Sequence, residues 1–243
     1  MSNRLIVEGA WPENLTVTRG WARGEARPWN DETAAGHLRL LRGSSAFLDE
    51  ATSLVATASD GTVYSPALYP ASTRIWKRVG YQPTSHLLVL EKGLSFRSER
   101  PARPIAAISS PDWDDILEVD RAAFEGFWRM SRAGLVEAAG ATPNSTVLGF
   151  HIEDRLAGYA IVGTQRTASY LQRLAVDPEH SGQGLGTDLV RASFDWARRR
   201  GARSMILNVR EQSTAARRLY QGEGFHDTGV RLEILSTTVL SRT

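Results

Sequence analysis

The residues of this chain whose spacing best suits chemistry are three glycines in one short loop. Gly182, Gly184 and Gly186 follow an apolar run at 170–176 and open a helix that ends at Gly201. Glycine lets the backbone approach a ligand closely, and the free N–H groups at a helix N-terminus favour anions. We therefore expect the loop to bind a phosphate or diphosphate group, with tight packing at the helix start as the alternative explanation of the glycines.

The spacing of these glycines excludes two common nucleotide-binding motifs. A dinucleotide-binding loop requires G-x-G-x-x-G, but the last position counted from Gly182 is Thr187. It also requires an acidic residue about 20 positions further on, and the run after Gly201 has none before Glu211. A Walker loop requires lysine followed by serine or threonine, and no lysine occurs here.

The helix after the loop carries one apolar stripe. Leu185, Leu189, Ala192 and Trp196 recur at three- and four-residue spacing, so we expect them to face the core. The charged residues expected to lie outside this stripe are Asp188, Arg191, Asp195, Arg198 and Arg199.

The stretch from Tyr170 to Phe225 resembles the GCN5-related N-acetyltransferase (GNAT) family. That family has a strand, a Q/R-x-x-G-x-G/A loop, a helix, a second strand, and a short helix with Leu-Tyr followed by Gly-Phe. The residues that match in order and spacing are Leu174-Ala175-Val176, Gly184-Leu185-Gly186, Leu207-Asn208-Val209, Leu219-Tyr220 and Gly224-Phe225. Ser181 departs from the pattern, because it stands where the family has glutamine or arginine.

The resemblance implies an α/β fold with a mixed α+β sheet, the GNAT fold, whose central strands splay apart. We expect this complete domain at residues 105–243. Residues 98–104, S-E-R-P-A-R-P, are charged and contain two prolines, so they are predicted to form a linker. Residues 1–97 are predicted to form a degenerate, partial GNAT-like lobe.

The N-terminal lobe is inferred from a weak internal repeat. The pairs that recur 144 positions apart are Ile75-Trp76 with Leu219-Tyr220 and Gly80-Tyr81 with Gly224-Phe225. The glycine loop has no counterpart, because Leu40 and Arg42 occupy the positions equivalent to Gly184 and Gly186. We therefore expect this lobe to lack a cofactor loop, and chance similarity is the alternative.

Periodicity and turn residues predict the remaining elements. In the first half we expect a helix from Asp31 with Leu38, Leu41, Ser45 and Leu48 on one face. Residues 15–18 fit either a strand or part of a loop that packs over the body of the protein. The other elements predicted in that half are strands at 54–58, 62–68 and 86–90 and a helix at 72–79. The elements predicted in the second half are a strand at 105–109, a helix capped by Ser110, a second helix through 135–136, a hairpin of 146–152 and 156–164, and a strand at 229–235.

Composition narrows the class of protein. The 243 residues carry 29 basic and 27 acidic side chains, a net charge of +2 that argues against a nucleic-acid surface. No cysteine is present, which excludes disulfides and cysteine metal sites, and no apolar run approaches the ~18 residues of a membrane span. We expect a cytoplasmic protein that binds no metal, nucleic acid or membrane, and we leave its oligomeric state open.

By resemblance, the chain is expected to be an acyltransferase with acetyl-CoA as co-substrate and a small-molecule or peptide amine as acceptor. In this family the primary amine attacks the thioester directly within a ternary complex. The residues expected to bind the cofactor are Leu174, Ala175, Val176, Gly182, Gln183, Gly184, Leu185, Gly186, Thr187, Asn208 and Ser213. Phe124, Phe127 and Trp128 are expected to line the acceptor site. Tyr220 is expected to protonate the departing thiolate, with core packing as its alternative role.

The base that would deprotonate the amine is not fixed by the sequence. Asn208 stands where members that acetylate protein N-termini often carry glutamate, and an amide cannot accept the proton. The strand positions nearby, none of them a carboxylate, are Tyr170, Gln172 and Arg173, and the remote candidates are Glu125, His151 and Glu211. We expect a water relay or an amine that arrives largely neutral. Two further functions stay open: a non-catalytic CoA-binding regulator, and a structural module that completes a sheet.

Overall fold

The computed structural model describes residues 4–95 and 99–239. Contacts within the chain define two compact units, one of residues 1–87 with 231–243 and one of residues 88–230. The predicted domain organisation with a linker at 98–104 stays a prediction, and Ser98 lies outside the described residues. None of the described helices is long and apolar enough to cross a membrane.

Within the described residues, the first unit contains two helices, five complete strands and parts of two strands that continue in the second unit. Its elements in chain order are β1 (Ile6–Glu8), β2 (Leu15–Arg19), β3 (Ala22–Pro28), β4 (Gly36–Arg42), α1 (Ser45–Ala58), β5 (Thr62–Tyr64), α2 (Thr73–Arg78) and the start of β6 (Gln82–Gly93). Strands β1 to β4 pair with their neighbours in antiparallel fashion, and β5 pairs with β4 in parallel. Phe47, Leu48 and Val55 of α1 are fully buried, so this helix forms the centre of the unit's core.

The helix predicted from Asp31 is wrong. Residues Gly36–Arg42 form β4 instead. The helix begins only at Ser45, after Ser44, whose hydroxyl accepts a hydrogen bond from the Phe47 backbone N–H at 3.2 Å. A serine side chain in this position satisfies one of the free N–H groups of the first turn, which is why the helix starts here.

The strand predicted at 54–58 is also wrong, because these residues are the last turn of α1. A short apolar run fits a buried strand or a buried helix turn equally well, and packing decides between them. A Cβ atom on Gly36 would lie 2.4 Å from Val55 Cγ1, so β4 passes closely over this turn of the helix. The predicted elements that the structure confirms in this half are the strand at 86–90, the helix at 72–79 and the first part of the strand at 62–68. Of the two alternatives at 15–18, the structure has the strand.

The second unit contains the stretch on which the resemblance depends. Its elements in chain order are the end of β6, β7 (Ala106–Ile108), α3 (Trp113–Ala123), α4 (Arg132–Gly140), β8 (Asn144–Ile152), β9 (Arg155–Gln165), β10 (Ala168–Val176), α5 (Leu185–Arg198), β11 (Ser204–Arg210), α6 (Thr214–Gly222) and the start of β12 (His226–Thr238). Strands β7 to β10 form an antiparallel meander, and β11 lies parallel to β10. The strand, hairpin and helices predicted here are confirmed, although Asp112 rather than Ser110 caps α3.

Helices cover both faces of this sheet. Along β9, the odd residues Tyr159 and Ile161 belong to the core formed with α3 and α4. The even residues Ala160 and Val162 belong to the core formed with α5 and α6. Because successive side chains of a strand point to opposite faces, the two cores lie on opposite sides of the sheet.

The central strands separate as the resemblance predicts. The parallel pairing of β10 with β11 runs from Ala168 opposite Ser204 to Leu171 opposite Leu207 and stops there, although both strands continue. On its other side, β10 stays paired with β9 as far as Val176. Beyond Leu171, the β10 edge that faces β11 is therefore free of pairing with it within the described residues. This is the splayed mixed sheet of the predicted α/β GNAT fold.

The apolar stripe of α5 is confirmed with one correction. Leu185, Leu189, Ala192 and Trp196 are all buried. Asp188, which was expected outside the stripe, is also buried, with only 2% of its surface exposed. A buried carboxylate requires partners, and these come from a segment far away in the sequence.

The first unit repeats part of the second. In both, a strand leads through a helix to a second, parallel strand and then to another helix: β4–α1–β5–α2 and β10–α5–β11–α6. The structure thus supports the internal repeat through its element order. The two copies differ at the start of the first helix, where the first unit has the Ser44 cap and the second has the glycine loop.

Candidate active site

The glycine loop connects a short 3₁₀ helix at Pro178–His180 to α5. Gly182 and Gly184 have φ angles of +74° and +84°, a left-handed conformation that other residues rarely adopt. A Cβ atom added to Gly182 would meet no atom within 4 Å, so conformation rather than crowding requires glycine there. Gly184 is the N-cap of α5, and no described side chain caps the helix. The N–H groups of its first turn are therefore open to an anion.

Gly186 has a different role in the loop region. It lies inside α5, and a Cβ atom there would lie 3.2 Å from Leu219 Cδ2 on α6. The glycine therefore allows α5 and α6 to approach each other closely. This close approach fixes the position of α6, which carries Tyr220.

The gap between β10 and β11 leads towards this loop. Leu174, Ala175 and Val176 form the end of β10, and Asp177 follows before the 3₁₀ helix. Across from them, Asn208 is the first β11 residue beyond the last pair, and its side chain is exposed. The gap therefore offers an unpaired strand edge on its β10 side, with an anion-binding helix terminus following its end.

Tyr220 lies in α6 and is almost fully buried, with 8% of its surface exposed. Its ring packs edge-on against Phe225 with 5.6 Å between the ring centroids. Burial raises the pKa of Tyr220 to about 12, and the positive charge of Arg173 opposes this rise. Among the described residues, the Tyr220 hydroxyl makes no hydrogen bond, and its oxygen is not among the fully enclosed atoms that lack a partner. The phenol is thus a protonated donor that is not yet engaged.

A buried ion pair links β10 to α3. Arg173 donates to both carboxylate oxygens of Asp120, with Nε–Oδ2 and Nη2–Oδ1 distances of 2.7 and 2.9 Å. Asp120 is fully buried and also accepts from the Tyr159 hydroxyl and the Met130 backbone N–H. This carboxylate also raises the pKa of Tyr159, after the larger effect of burial. Every oxygen of the pair is therefore satisfied, and the pair holds the bidentate geometry that arginine favours.

A bulge in β10 directs Arg173 towards this partner. The register of β10 against β9 shifts between Leu171 and Arg173, which leaves Gln172 as an extra residue. Leu171 belongs to the core on the α5 side, whereas Ala175 belongs to the core on the α3 side. Leu171, Arg173 and Ala175 are each two positions apart, so in a regular strand all three side chains would face the same side of the sheet. The extra residue therefore places the Arg173 side chain on the side of Asp120.

The aromatic residues after α3 lie close to the strand ends. The Arg173 guanidinium carbon lies 3.5 Å from the Phe124 ring centroid, and Arg173 Nη2 donates to the Trp128 carbonyl oxygen at 2.8 Å. Trp128 also packs against Phe127 and lies 5.0 Å from the guanidinium carbon of Arg210 on β11. The structure therefore brings two of the three predicted acceptor-site residues into contact with side chains of both splayed strands.

The remaining residues considered from the sequence differ in where the structure places them. Glu125, His151 and Glu211, the remote candidates for a base, are all exposed. Ser213 precedes α6, and its hydroxyl accepts a hydrogen bond from Arg210 Nε at 3.0 Å. Gln172 has a buried Oε1 atom with no hydrogen-bond partner in the described part of the chain.

Comparison with known proteins agrees with this geometry. The model of the acetyltransferase (GNAT) family matches residues 113–225. A [ribosomal protein bS18]-alanine N-acetyltransferase of Haemophilus ducreyi is 30% identical over 127 residues, which are 52% of this chain and 85% of that protein. The chain belongs to the GNAT acetyltransferase family.

Two further likenesses extend over both units of this acetyltransferase. Mycothiol acetyltransferase of Clavibacter sepedonicus is 27% identical over 205 residues, 79% of this chain and 67% of that protein. A tandem GNAT protein from the clavulanic acid biosynthesis pathway shares the fold with a TM-score of 0.64 and 19% identity, covering 93% of this chain and 82% of the other. The tandem fold agrees with the two-lobe organisation inferred from the repeat.

Sequence reasoning missed three charged residues near this candidate site: Asp120, Arg210, and Arg103, which donates to Asp188 Oδ2 and to the Gln183 carbonyl oxygen of the glycine loop. Asp120 left a signal, because it follows the apolar position Val119 in a helix whose core face also holds Ile116. An acidic residue beside such a face is either solvated or paired, and only the fold decides which. Arg210 and Arg103 left no signal, since arginine is common throughout this chain.

The Asp120–Arg173 pair leads to a prediction about stability. We expect Asp120→Ala to lower the free energy of unfolding by about 3–5 kcal/mol, because it leaves the largely buried Arg173 without its carboxylate. Glu118→Ala is the matched control on the same helix, since its pair with Arg155 is exposed, and we expect a change within about 0.5 kcal/mol. Urea denaturation of the three proteins measures both values. Equal effects of the two substitutions would contradict a structural role of the buried pair.

Proposed function

We propose that this protein transfers an acetyl group from acetyl-CoA to a primary amine by direct attack in a ternary complex. The observation that carries the proposal is the gap between β10 and β11, which opens beyond Leu171 and Leu207. Its unpaired strand edge is followed by the uncapped N-terminus of α5. An extended amide chain fits a free strand edge, and a diphosphate fits a helix N-terminus, so the two features together match one elongated ligand.

The residues present fit the co-substrate, which supplies the acetyl group as an activated thioester. The main chain of Leu174 and Val176 is proposed to bind the pantetheine portion and the thioester through the free edge of β10. The residues proposed to hold the diphosphate are Gly182, Gln183, Gly184, Leu185, Gly186 and Thr187. The other residues proposed to contact the cofactor are Ala175, Asn208 and Ser213. The Ser213 hydroxyl also accepts a hydrogen bond from Arg210 Nε.

Tyr220 is proposed to donate the proton that the departing thiolate needs. Its hydroxyl is unengaged, and with a pKa raised to about 12 it stays protonated at neutral pH. A free thiol has a pKa near 8.5, well below that of the buried phenol, so the phenol would protonate a thiolate in water only weakly. Burial also raises the pKa of a thiol that leaves beside Tyr220, so the pKa values of the thiol and the phenol lie closer together in the site. The positive charge of Arg173 further lowers the cost of phenolate formation.

The acceptor amine is proposed to enter between the aromatic residues and the strand ends. Phe124 and Trp128 offer apolar surface, and Phe127 packs against Trp128. The orphaned Oε1 atom of Gln172, at the first position beyond the last β10–β11 pair, can accept a hydrogen bond from an amine N–H. The candidates for a base that the sequence offers, Glu125, His151 and Glu211, are exposed, and none of them is proposed to deprotonate an amine in the gap. We therefore propose that a water relay removes the amine proton, or that the amine arrives neutral.

The first unit is proposed to be a lobe that binds no co-substrate. Its α1 occupies the position of α5 in the repeated element order, but the Ser44 hydroxyl already caps that helix. Gly43 and Ser44 alone separate β4 from α1, so no loop is available to surround a phosphate. One co-substrate per chain is the expected stoichiometry.

The reaction itself is tested by acetyl-CoA turnover against a panel of amines. The panel contains peptides with an N-terminal alanine, because one relative is named for alanine N-acetylation, together with small-molecule primary amines. We expect thiol release and an acetylated product of matching mass with at least one acceptor. Binding of one CoA per chain without turnover on any class of amine would favour the non-catalytic alternative.

The glycine loop is tested by Gly184→Asp. The substitution strains a residue at φ +84° and places a carboxylate where the diphosphate is proposed to bind. We expect the Kd for CoA to rise at least 10-fold, about 1.4 kcal/mol. Gly184→Ala is the matched control, because it adds the same backbone strain without the charge and should cost less. Calorimetry on both variants measures the Kd, and unchanged affinity of a folded Asp variant would remove the loop from the site.

The role of Tyr220 is tested by Tyr220→Phe. General acid catalysis contributes about 10²–10⁴-fold, so we expect kcat to fall by that order while the Kd for CoA changes little. Because the phenol must be protonated to act and its pKa is raised to about 12, wild-type kcat should show no loss from this group up to about pH 10. Activity that depends on the phenol is lost only as the pH rises through that pKa.

The matched control for this variant is Tyr170→Phe, a tyrosine in the paired part of β10, where we expect normal kcat. Single-turnover measurements establish that chemistry is rate-limiting. Wild-type kcat in a folded Tyr220→Phe protein would leave Tyr220 with a packing role, and solvent would then protonate the thiolate.

A further inference from the structure

Arg103 lies at the mouth of the glycine loop although it is about 80 positions away in the sequence. Its Nη2 atom donates to the Gln183 carbonyl oxygen at 2.6 Å, and its Nη1 atom donates to Asp188 Oδ2 at 2.6 Å. The Nη1 atom lies 3.7 Å from the position that a Cβ atom on Gly184 would occupy. The guanidinium therefore lies directly beside the N-cap of α5.

The loop has no cation of its own. Residues 181–187 read S-G-Q-G-L-G-T and contain no lysine, arginine or histidine. Among the described residues, Arg103 is the one basic side chain that bonds to any residue of 181–188. A diphosphate in this loop would otherwise depend on backbone N–H groups and the helix dipole for its positive partners.

Asp188 makes a cation at this point necessary. Its carboxylate is buried in the first turn of α5, close to the place where a phosphate is proposed to bind. Its Oδ1 atom accepts from the Ala102 backbone N–H at 2.7 Å, and its Oδ2 atom accepts from Arg103. Without Arg103, the buried negative charge would repel an anion at the same helix terminus.

Arg103 keeps donors available for a ligand. A guanidinium has five N–H groups, and the two recorded hydrogen bonds use one on each terminal nitrogen. The side chain is also 33% exposed, so part of the group faces solvent at the loop. Arginine commonly binds phosphate through two parallel N–H···O bonds, which the remaining donors can supply.

We propose that Arg103 binds the diphosphate of the co-substrate, as a cation supplied to the loop by the segment before β7. The proposal rests on the proposed function, since it names a further binding residue of the same site. It also assigns a role to the predicted linker at 98–104, whose second arginine is held at the loop through Ala102 and Asp188.

The test measures CoA binding to the full-length protein by calorimetry, with Arg103→Ala as the principal variant. We expect the Kd for CoA to rise at least 10-fold. We expect the same rise for dephospho-CoA, which keeps the diphosphate and lacks only the 3′-phosphate. Arg100→Ala is the matched control, because it removes the same charge from the same segment at an exposed position, and its Kd should stay within twofold of wild type.

Two further variants separate ligand binding from pairing with Asp188. Arg103→Lys keeps the positive charge but loses the planar set of guanidinium donors, and we expect the Kd for CoA to rise at least threefold. This variant also provides the test if Arg103→Ala does not fold. In an Asp188→Asn background, Arg103→Ala should still weaken CoA binding at least fivefold. Loss of the effect in that background would overturn the proposal, because Arg103 would then act only by neutralising Asp188.

The remaining outcomes are also decisive. A Kd for Arg103→Ala within twofold of wild type, an equal loss in Arg100→Ala, or a loss for CoA but not for dephospho-CoA would each overturn the assignment to the diphosphate. Wild-type protein that binds no CoA at all would instead overturn the proposed function. Circular dichroism and the Tm of each variant confirm that the compared proteins are folded.

Discussion

The hydrogen bonding of the buried Asp120 carboxylate is the interaction on which the arrangement of the candidate site depends. This carboxylate is fully buried in α3 and accepts hydrogen bonds from Arg173, the Tyr159 hydroxyl and the Met130 backbone N–H. Through Arg173 it joins β10, the strand that separates from β11, to the aromatic segment after α3, because Arg173 also donates to the Trp128 carbonyl oxygen. A buried charge without partners is costly, so each of these groups constrains the others. The proposed acceptor side of the candidate site is therefore arranged around one carboxylate.

The bulge at Gln172 makes that interaction possible and also accompanies the end of strand pairing. One extra residue changes which face of the sheet the following side chains occupy. The extra residue places Arg173 on the α3 side. The pairing of β10 with β11 stops at Leu171, immediately before this extra residue. A single irregularity in one strand is thus associated with both the direction of the buried arginine and the opening of the gap.

The two units show how a helix N-terminus gains or loses the ability to bind an anion. Helices α1 and α5 each have 14 residues and follow a strand in the repeated element order. Ser44 caps the first with its own hydroxyl, whereas Gly184 leaves the second without a side-chain cap. Satisfied N–H groups have little left to offer a ligand, and open ones attract anions. The same framework therefore yields a helix start with a side-chain cap in one unit and a candidate phosphate site in the other.

The sequence by itself determined the family resemblance, the glycine loop, the stripe of α5 and most elements of the second unit. These features depend on short-range spacing, which a periodic pattern or a turn residue expresses locally. In the first unit the same reasoning failed at 31–44 and 54–58, where short apolar runs fit a helix or a strand equally well and contacts with distant residues chose between them.

Only the tertiary structure decided which charged residues lie at the candidate site and which partners they have there. Asp120 pairs with Arg173 across 53 positions, and Asp188 pairs with Arg103 across 85. Asp188 was expected at the surface because one helical pattern cannot reveal a partner supplied by another part of the chain. A carboxylate can be buried only where the fold brings a cation and further donors to it, and that condition is met through contacts far apart in the sequence.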